Sequence, residues 1–96
     1  MRVFVSARAR ADVLRIYSYL VERTPTAADR AVMRIERKLE QLGQFPFIGP
    51  ERPSLAAGIR VALAGTHLII YRVDAEVVIV VRIIDGRMDI DEEFRR

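Results

Sequence analysis

The spacing of apolar residues changes several times along the chain, and each change marks an element. Arg2 to Val5 is short and β-rich and runs into Ser6, a good N-cap, so it predicts a strand feeding a helix. Over roughly residues 8 to 23, Val13, Leu14, Ile16, Tyr17, Leu20 and Val21 recur at steps of three and four, the period of an amphipathic helix that stops at Thr24-Pro25-Thr26. A second helix follows, with Thr26 and Asp29 as its start signal and Ala28, Val32, Ile35, Leu39 and Leu42 as its apolar stripe. Its opposite face carries Arg30, Arg34, Arg37, Lys38 and Glu40, and Gly43 with Pro46 ends it. Two helices this close in sequence predict an antiparallel hairpin.

Residues 43 to 58 hold the remaining prolines and three glycines and read as an irregular connection within the domain, since Phe45, Phe47 and Ile48 are too apolar to stay in water. Three strands are predicted beyond it, at about 59 to 64, 67 to 73 and 76 to 84. Gly65-Thr66 has the chemistry of a two-residue turn, which places Ala64 opposite His67, Leu63 opposite Leu68, Val61 opposite Ile70 and Arg60 opposite Tyr71. A second turn at Asp74-Ala75 would set Ile70 opposite Ile79, Leu68 opposite Val81 and His67 opposite Arg82. Opposed residues share a face. One face then collects Val61, Leu63, Leu68, Ile70, Val77, Ile79, Val81 and Ile83, and is expected to pack on the helices. The other, with Arg60, Ala62, Ala64, His67, Ile69, Tyr71, Val78, Val80 and Arg82, becomes the expected working surface. Arg82 interrupts an otherwise aliphatic run from Val77 to Ile84; it faces outward on this reading, or pairs with a nearby acid such as Asp85 or Asp89. At the end of the chain, Asp89 and Glu92 form a capping pattern for a short helix that puts Ile90 and Phe94 on one side, folded over an edge of the sheet. The fold class is therefore α+β: a strand, an antiparallel two-helix hairpin, a three-stranded antiparallel meander and a short final helix, in one domain spanning residues 1–96.

Composition narrows the chemistry. The chain has 96 residues, 51% hydrophobic, enough for one modest core. Without cysteine and with one histidine it can form neither disulfides nor thiolate or His-rich metal centres, so no metal or cofactor is expected. Its apolar runs fall short of the ~18 residues of a membrane span, and a soluble, cytoplasmic protein is expected. The net charge is +3, with 15 arginines to a single lysine, Lys38. Arginine forks onto carboxylate or phosphate, so the surface suits acidic peptides or nucleic acid.

The order of elements, together with "FPFIGPERPSL", "GIRVALAGTHLIIYRV" and "VVIVVRIIDGRMDI", resembles the ParE/RelE superfamily of toxins from type II toxin-antitoxin modules over nearly the whole chain, the ParE branch more than the RelE branch. The resemblance implies a toxin that inhibits DNA gyrase and is neutralised by a ParD-like antitoxin. It carries Arg60, Tyr71, Arg82 and Arg87 as candidate target contacts, and Arg30, Arg34, Arg37, Phe45 and Phe47 as candidate antitoxin contacts, with no catalytic residue. The alternative it implies is a RelE-like endoribonuclease acting on ribosome-bound message, for which His67 as general base with Arg60 and Arg82 are the candidates. No Tyr or His follows Tyr71, and Asp85 stands where many ParE-like chains have a histidine.

Overall fold

The computed structural model describes residues 1–96. Its elements are β1 (Arg2–Val5), α1 (Ala7–Val21), α2 (Pro25–Gln44), β2 (Arg60–Ala64), β3 (His67–Asp74), β4 (Val77–Asp85) and α3 (Ile90–Arg95). One sheet contains all four strands in the order β1-β4-β3-β2, antiparallel except for β1, which lies parallel to β4. The predicted element order holds throughout. Ser6 caps α1 as its composition suggests, its Oγ accepting from the Ala9 N–H and donating to the Val81 carbonyl, so one hydroxyl satisfies a free helix donor and ties α1 to the sheet. The second helix begins earlier than the Thr26 signal indicates. Thr24 is its N-cap and Pro25 its first residue, where a missing N–H costs nothing. Asp89 caps α3, accepting from the Asp91 and Glu92 N–H groups.

The first meander register is the predicted one, from Arg60 opposite Tyr71 to Ala64 opposite His67. Gly65 supplies the positive φ that this turn requires. The second hairpin departs from expectation twice. Its turn residues are Ala75 and Glu76, with Ala75 at φ 54° and Asp74 opposite Val77, a slip that preserves the predicted faces as far as Tyr71 opposite Val80. Between Ile70 and Tyr71 the register then shifts, and Ile70 lies opposite Arg82. Val81 is the extra residue of a β-bulge, and beyond it every side chain of β4 exchanges faces. Arg82 therefore leaves the Tyr71 face, and Ile83 joins it.

The helices also cover the opposite face from the one expected. Ala62, Ala64, Ile69, Tyr71, Val78, Val80 and Ile83 form the main core with Ala9, Ile35 and Leu42. The small side chains of Ala62 and Ala64 leave room for α2 to come close over β2; an aliphatic count sees only that the other face is greasier. That other face is covered too. Ile59, Val61, Ile70 and Ile84 pack with Leu55 from the connection and with Ile90 and Phe94 of α3. Leu63 alone of this set stays largely open, at 62% exposed. Within α1 the stripe is narrower than its periodicity predicts: Leu14 is exposed and Tyr17 partly so, while Ala9 and Asp12 are buried. No helix is long and apolar enough to cross a membrane.

Candidate functional site

Arg82 is not on a working surface. It is 4% exposed, and its guanidinium reaches Asp12 of α1, with Nε donating to Oδ2 at 2.8 Å and Nη2 to Oδ1 at 3.1 Å. The partner is neither Asp85 nor Asp89. The need for Asp12 comes from the sheet edge. β1 pairs with β4 only as far as Val80, so the next N–H groups of β4 have no strand beside them. Asp12 Oδ2 accepts the Ile83 N–H at 2.9 Å, and Oδ1 also accepts from Arg15. The carboxylate thus takes four donors and is saturated. Arg82 Nη1 donates to the Glu93 carbonyl at 2.7 Å, in the last turn of α3, an acceptor it shares with the Arg96 N–H. Burial raises the Asp12 pKa, but the bonds from Arg82, Ile83 and Arg15 outweigh it and hold the group below its usual value. The Arg82 guanidinium is raised, first by its bond to Asp12. An acid inside the apolar stripe of α1, one turn from Ala9 and Ile16, was the sequence signal for this pair.

Tyr71 and Arg60 are also committed to the fold. Tyr71 is fully buried and its hydroxyl accepts the Gly49 N–H at 2.9 Å. Arg60 donates to the carbonyls of Phe47 and Gly49, pairs with Glu51 at 3.2 Å, and lies over the Phe47 ring at 5.0 Å. The two residues pin the irregular connection onto the edge of the sheet. His67 sits four residues along β3 from Tyr71, about 13 Å away at ~3.3 Å per residue. Arg60, His67 and Arg82 therefore do not converge, and the alternative nuclease triad is not assembled. Arg87 alone of the four candidate target contacts is largely free, at 79% side-chain exposure, and it grips Asp85 through Nη2 at 2.7 Å. That hydrogen bond is the main reason the Asp85 pKa is lowered to about 2.

Arg30, Arg34 and Arg37 are exposed on α2 and join no ion pair within the chain. Contrary to the expectation that the connection's apolar residues leave water, Phe45, Phe47 and Ile48 are exposed, Phe45 and Phe47 at 58% and 61%, just past the C-terminal end of the same helix. Three of the five predicted antitoxin contacts thus share about two turns of α2, and the other two lie beyond its C-terminal end. No group of three or more His, Cys, Asp or Glu residues is placed to hold a metal ion.

The sequence matches, over residues 3–90, the family described as ParE toxin of type II toxin-antitoxin system, parDE. The chain belongs to the ParE toxin family. Toxin ParE3 of Caulobacter vibrioides is 30% identical over 90 residues, 93% of this chain and 90% of that protein. Toxin RelE3 of the same organism is 33% identical over 82 residues, covering 84% and 89% of the two chains. Among solved structures, a chain of the chromosomal ParDE system from P. aeruginosa superposes with a TM-score of 0.77 at 27% identity, over 88% of this chain and 95% of that one. The toxin-antitoxin complex RelBE2 from Mycobacterium tuberculosis shares the fold at a TM-score of 0.64 and 23% identity, over 88% and 95%. This ParE-like, type II toxin thus has the architecture of its relatives, with its buried arginine spent on holding that architecture together.

Proposed function

We propose that this ParE-like toxin acts by binding, inhibiting DNA gyrase, and that a ParD-like antitoxin neutralises it. The observation that carries the reading is the dispersal of the nuclease candidates: Arg82 is locked on Asp12, Arg60 on the connection, and His67 lies in a separate crevice. General acid-base chemistry needs its groups within hydrogen-bond reach of one reacting centre, and these three are not. A protein that acts by contact needs only a stable surface, which the two-sided core supplies. Of the four candidate target contacts, Arg87 is the one available on that surface.

The antitoxin reading is supported by three unpaired arginines along α2 and two exposed phenylalanines beyond its end. An acidic segment laid along the helix would meet the arginines with carboxylates and cover the apolar pair. Supercoiling by gyrase and cleavage of ribosome-bound message, assayed side by side with purified toxin, test the proposal. Loss of supercoiling with accumulation of cleaved DNA is the expected result. Cleavage of message with untouched gyrase would reverse it.

A further inference from the structure

The turn end of the α1/α2 hairpin does not close against the sheet. It leaves a crevice of about 570 Å³, within the range of ligand pockets, whose apolar wall is built from Ile16, Leu20, Ala27, Ala31, Ile83 and Ile84. His67 lines it. The imidazole is nine-tenths buried, makes no hydrogen bond within the chain, and is not among the sealed unpartnered atoms, so its nitrogens open on the crevice. A ring nitrogen that opens on a crevice is hydrated in the free protein and can exchange that water for a ligand oxygen. Arg15, Arg34 and Arg87 stand at the rim.

Arg34 joins the crevice to the rest of α2. It also lines a shallow basin with Arg37, Lys38 and Gln41, and its stem packs so close over Gly65 that a Cβ there would come within 2.9 Å of Cδ. The guanidinium is thereby steered between the basic stripe and the crevice. Arg34 is thus common to the basic basin and the crevice.

We propose that the crevice anchors an acidic segment of the antitoxin, with an apolar side chain of that segment filling it and the adjacent carboxylate bound by His67, Arg34 and Arg87. The inference rests on the antitoxin reading above and adds a specific anchor to it. Charge and shape select the occupant: the two acids lining the crevice are already engaged, Asp85 by Arg87 and Glu93 by Arg96, whereas Arg34 joins no ion pair, the imidazole makes no hydrogen bond, and the apolar wall requires a greasy neighbour beside them. Occupancy would also cover Arg87, the exposed candidate target contact, so anchoring and neutralisation would coincide.

A carboxylate against His67 favours the imidazolium, so the segment should bring a proton with it. The groups around the ring are Arg15 and Tyr19 of α1, Arg34 of α2, Asp85 and Arg87 at the end of β4 and beyond, and Glu93 of α3. In the free toxin burial lowers the His67 pKa, with Arg87 and Arg34 adding to it and Asp85 opposing. If the bound form has the higher pKa, affinity is greatest at low pH and falls as pH rises between the free and bound values, by at most tenfold per unit for one proton.

The test uses the toxin and the antitoxin encoded beside it as a complex. His67 is the only histidine in the toxin, so selective labelling of the toxin yields one ring resonance. Its pKa should rise on complex formation, and His67→Gln should remove the pH dependence of the dissociation constant. Ala27→Phe, which fills the crevice, should weaken the complex tenfold or more while melting at the parent temperature. A complex in which the His67 ring signal keeps its free shift and pKa, or one that Ala27→Phe leaves equally tight, overturns the anchor alone. Absence of any complex overturns the antitoxin reading and the anchor with it.

Discussion

Asp12 and Arg82, 70 residues apart in sequence, form a buried, doubly hydrogen-bonded ion pair at the point where β1 stops and leaves one edge of β4 unpaired. The pair stitches α1 to β4 and, through the Glu93 carbonyl, to α3. Removing one member strands the other in the interior, which costs about 3–5 kcal/mol, a large share of the total stability of a small domain. Arg82→Ala should therefore lower the urea midpoint severely or prevent folding, the opposite of what an outward-facing Arg82 predicts. Replacing both, Asp12→Leu with Arg82→Met, should recover part of the loss. It cannot recover all, because the Ile83 N–H then has no acceptor, at about 1–3 kcal/mol. Full recovery in the double variant would show that this N–H is satisfied some other way.

Acid should destabilise the toxin in two stages. The unfolded chain protonates His67 around its ordinary value of 6.5, whereas burial keeps the folded ring neutral to lower pH. The stability from a neutral His67 is complete above about pH 6.5 and declines below it until the folded group also titrates. Asp12 and Asp85 are depressed from 3.8, Asp85 to about 2 by its bond with Arg87. Their contribution is present above pH 3.8 and is lost as pH falls through those lower values. Urea midpoints at pH 7.5, 5 and 3 should descend stepwise, and His67→Gln should flatten the first step. An unchanged first step in that variant would assign it to another group.

The connection between α2 and β2 should depend on a single hydroxyl. Tyr71→Phe leaves the buried Gly49 N–H without its acceptor, at a cost of about 1–3 kcal/mol, and should speed hydrogen exchange at Gly49. Gly49→Ala should be worse, because its Cβ would sit 2.7 Å from the Val61 carbonyl oxygen and 2.8 Å from the Tyr71 hydroxyl. Thermal melts of the two variants check the order. Equal melting temperatures would mean the connection shifts to accommodate the methyl group.

Toxicity should respond differently at two positions near one another. His67→Gln should reduce growth inhibition less than tenfold, far from the ~10²-fold or greater loss of a missing general base. Arg87→Ala should keep the fold, since the side chain is in solvent, and should weaken inhibition of gyrase supercoiling severalfold. Undiminished inhibition by the Arg87 variant would move the contact surface elsewhere.

Local chemistry made much of this architecture readable from the sequence. Ser6 and Asp89 signal helix starts because a cap needs only its own turn, and Gly65 signals its hairpin because the turn requires positive φ. The α2 stripe repeats often enough to fix which side is buried. What escaped was decided by partners distant in sequence. The bulge at Val81 leaves no glycine or other turn residue to mark it among the aliphatic residues around it, yet it turns Arg82 to the other face. The choice of covered face turned on Ala62 and Ala64, whose smallness matters only once a helix must approach them. Of the candidate site, the exposed positions on α2 were legible from periodicity, whereas the fates of Arg60 and Tyr71 depended on how the connection folds back.

The parallel pairing of β1 with β4 joins the first strand made to the last. During synthesis α1 and α2 can form and pair while the chain is still growing, but β1 has no neighbour until residues 77–80 appear, and Asp12 none until Arg82 does. Contacts of such long sequence separation close late and slowly. A nascent chain interrupted before the end of β4 lacks all or part of the strand that joins β1 to the rest of its sheet. The complete toxin surface therefore arises only after residue 85 has been made, and a message terminated before that point produces a fragment that cannot assemble it.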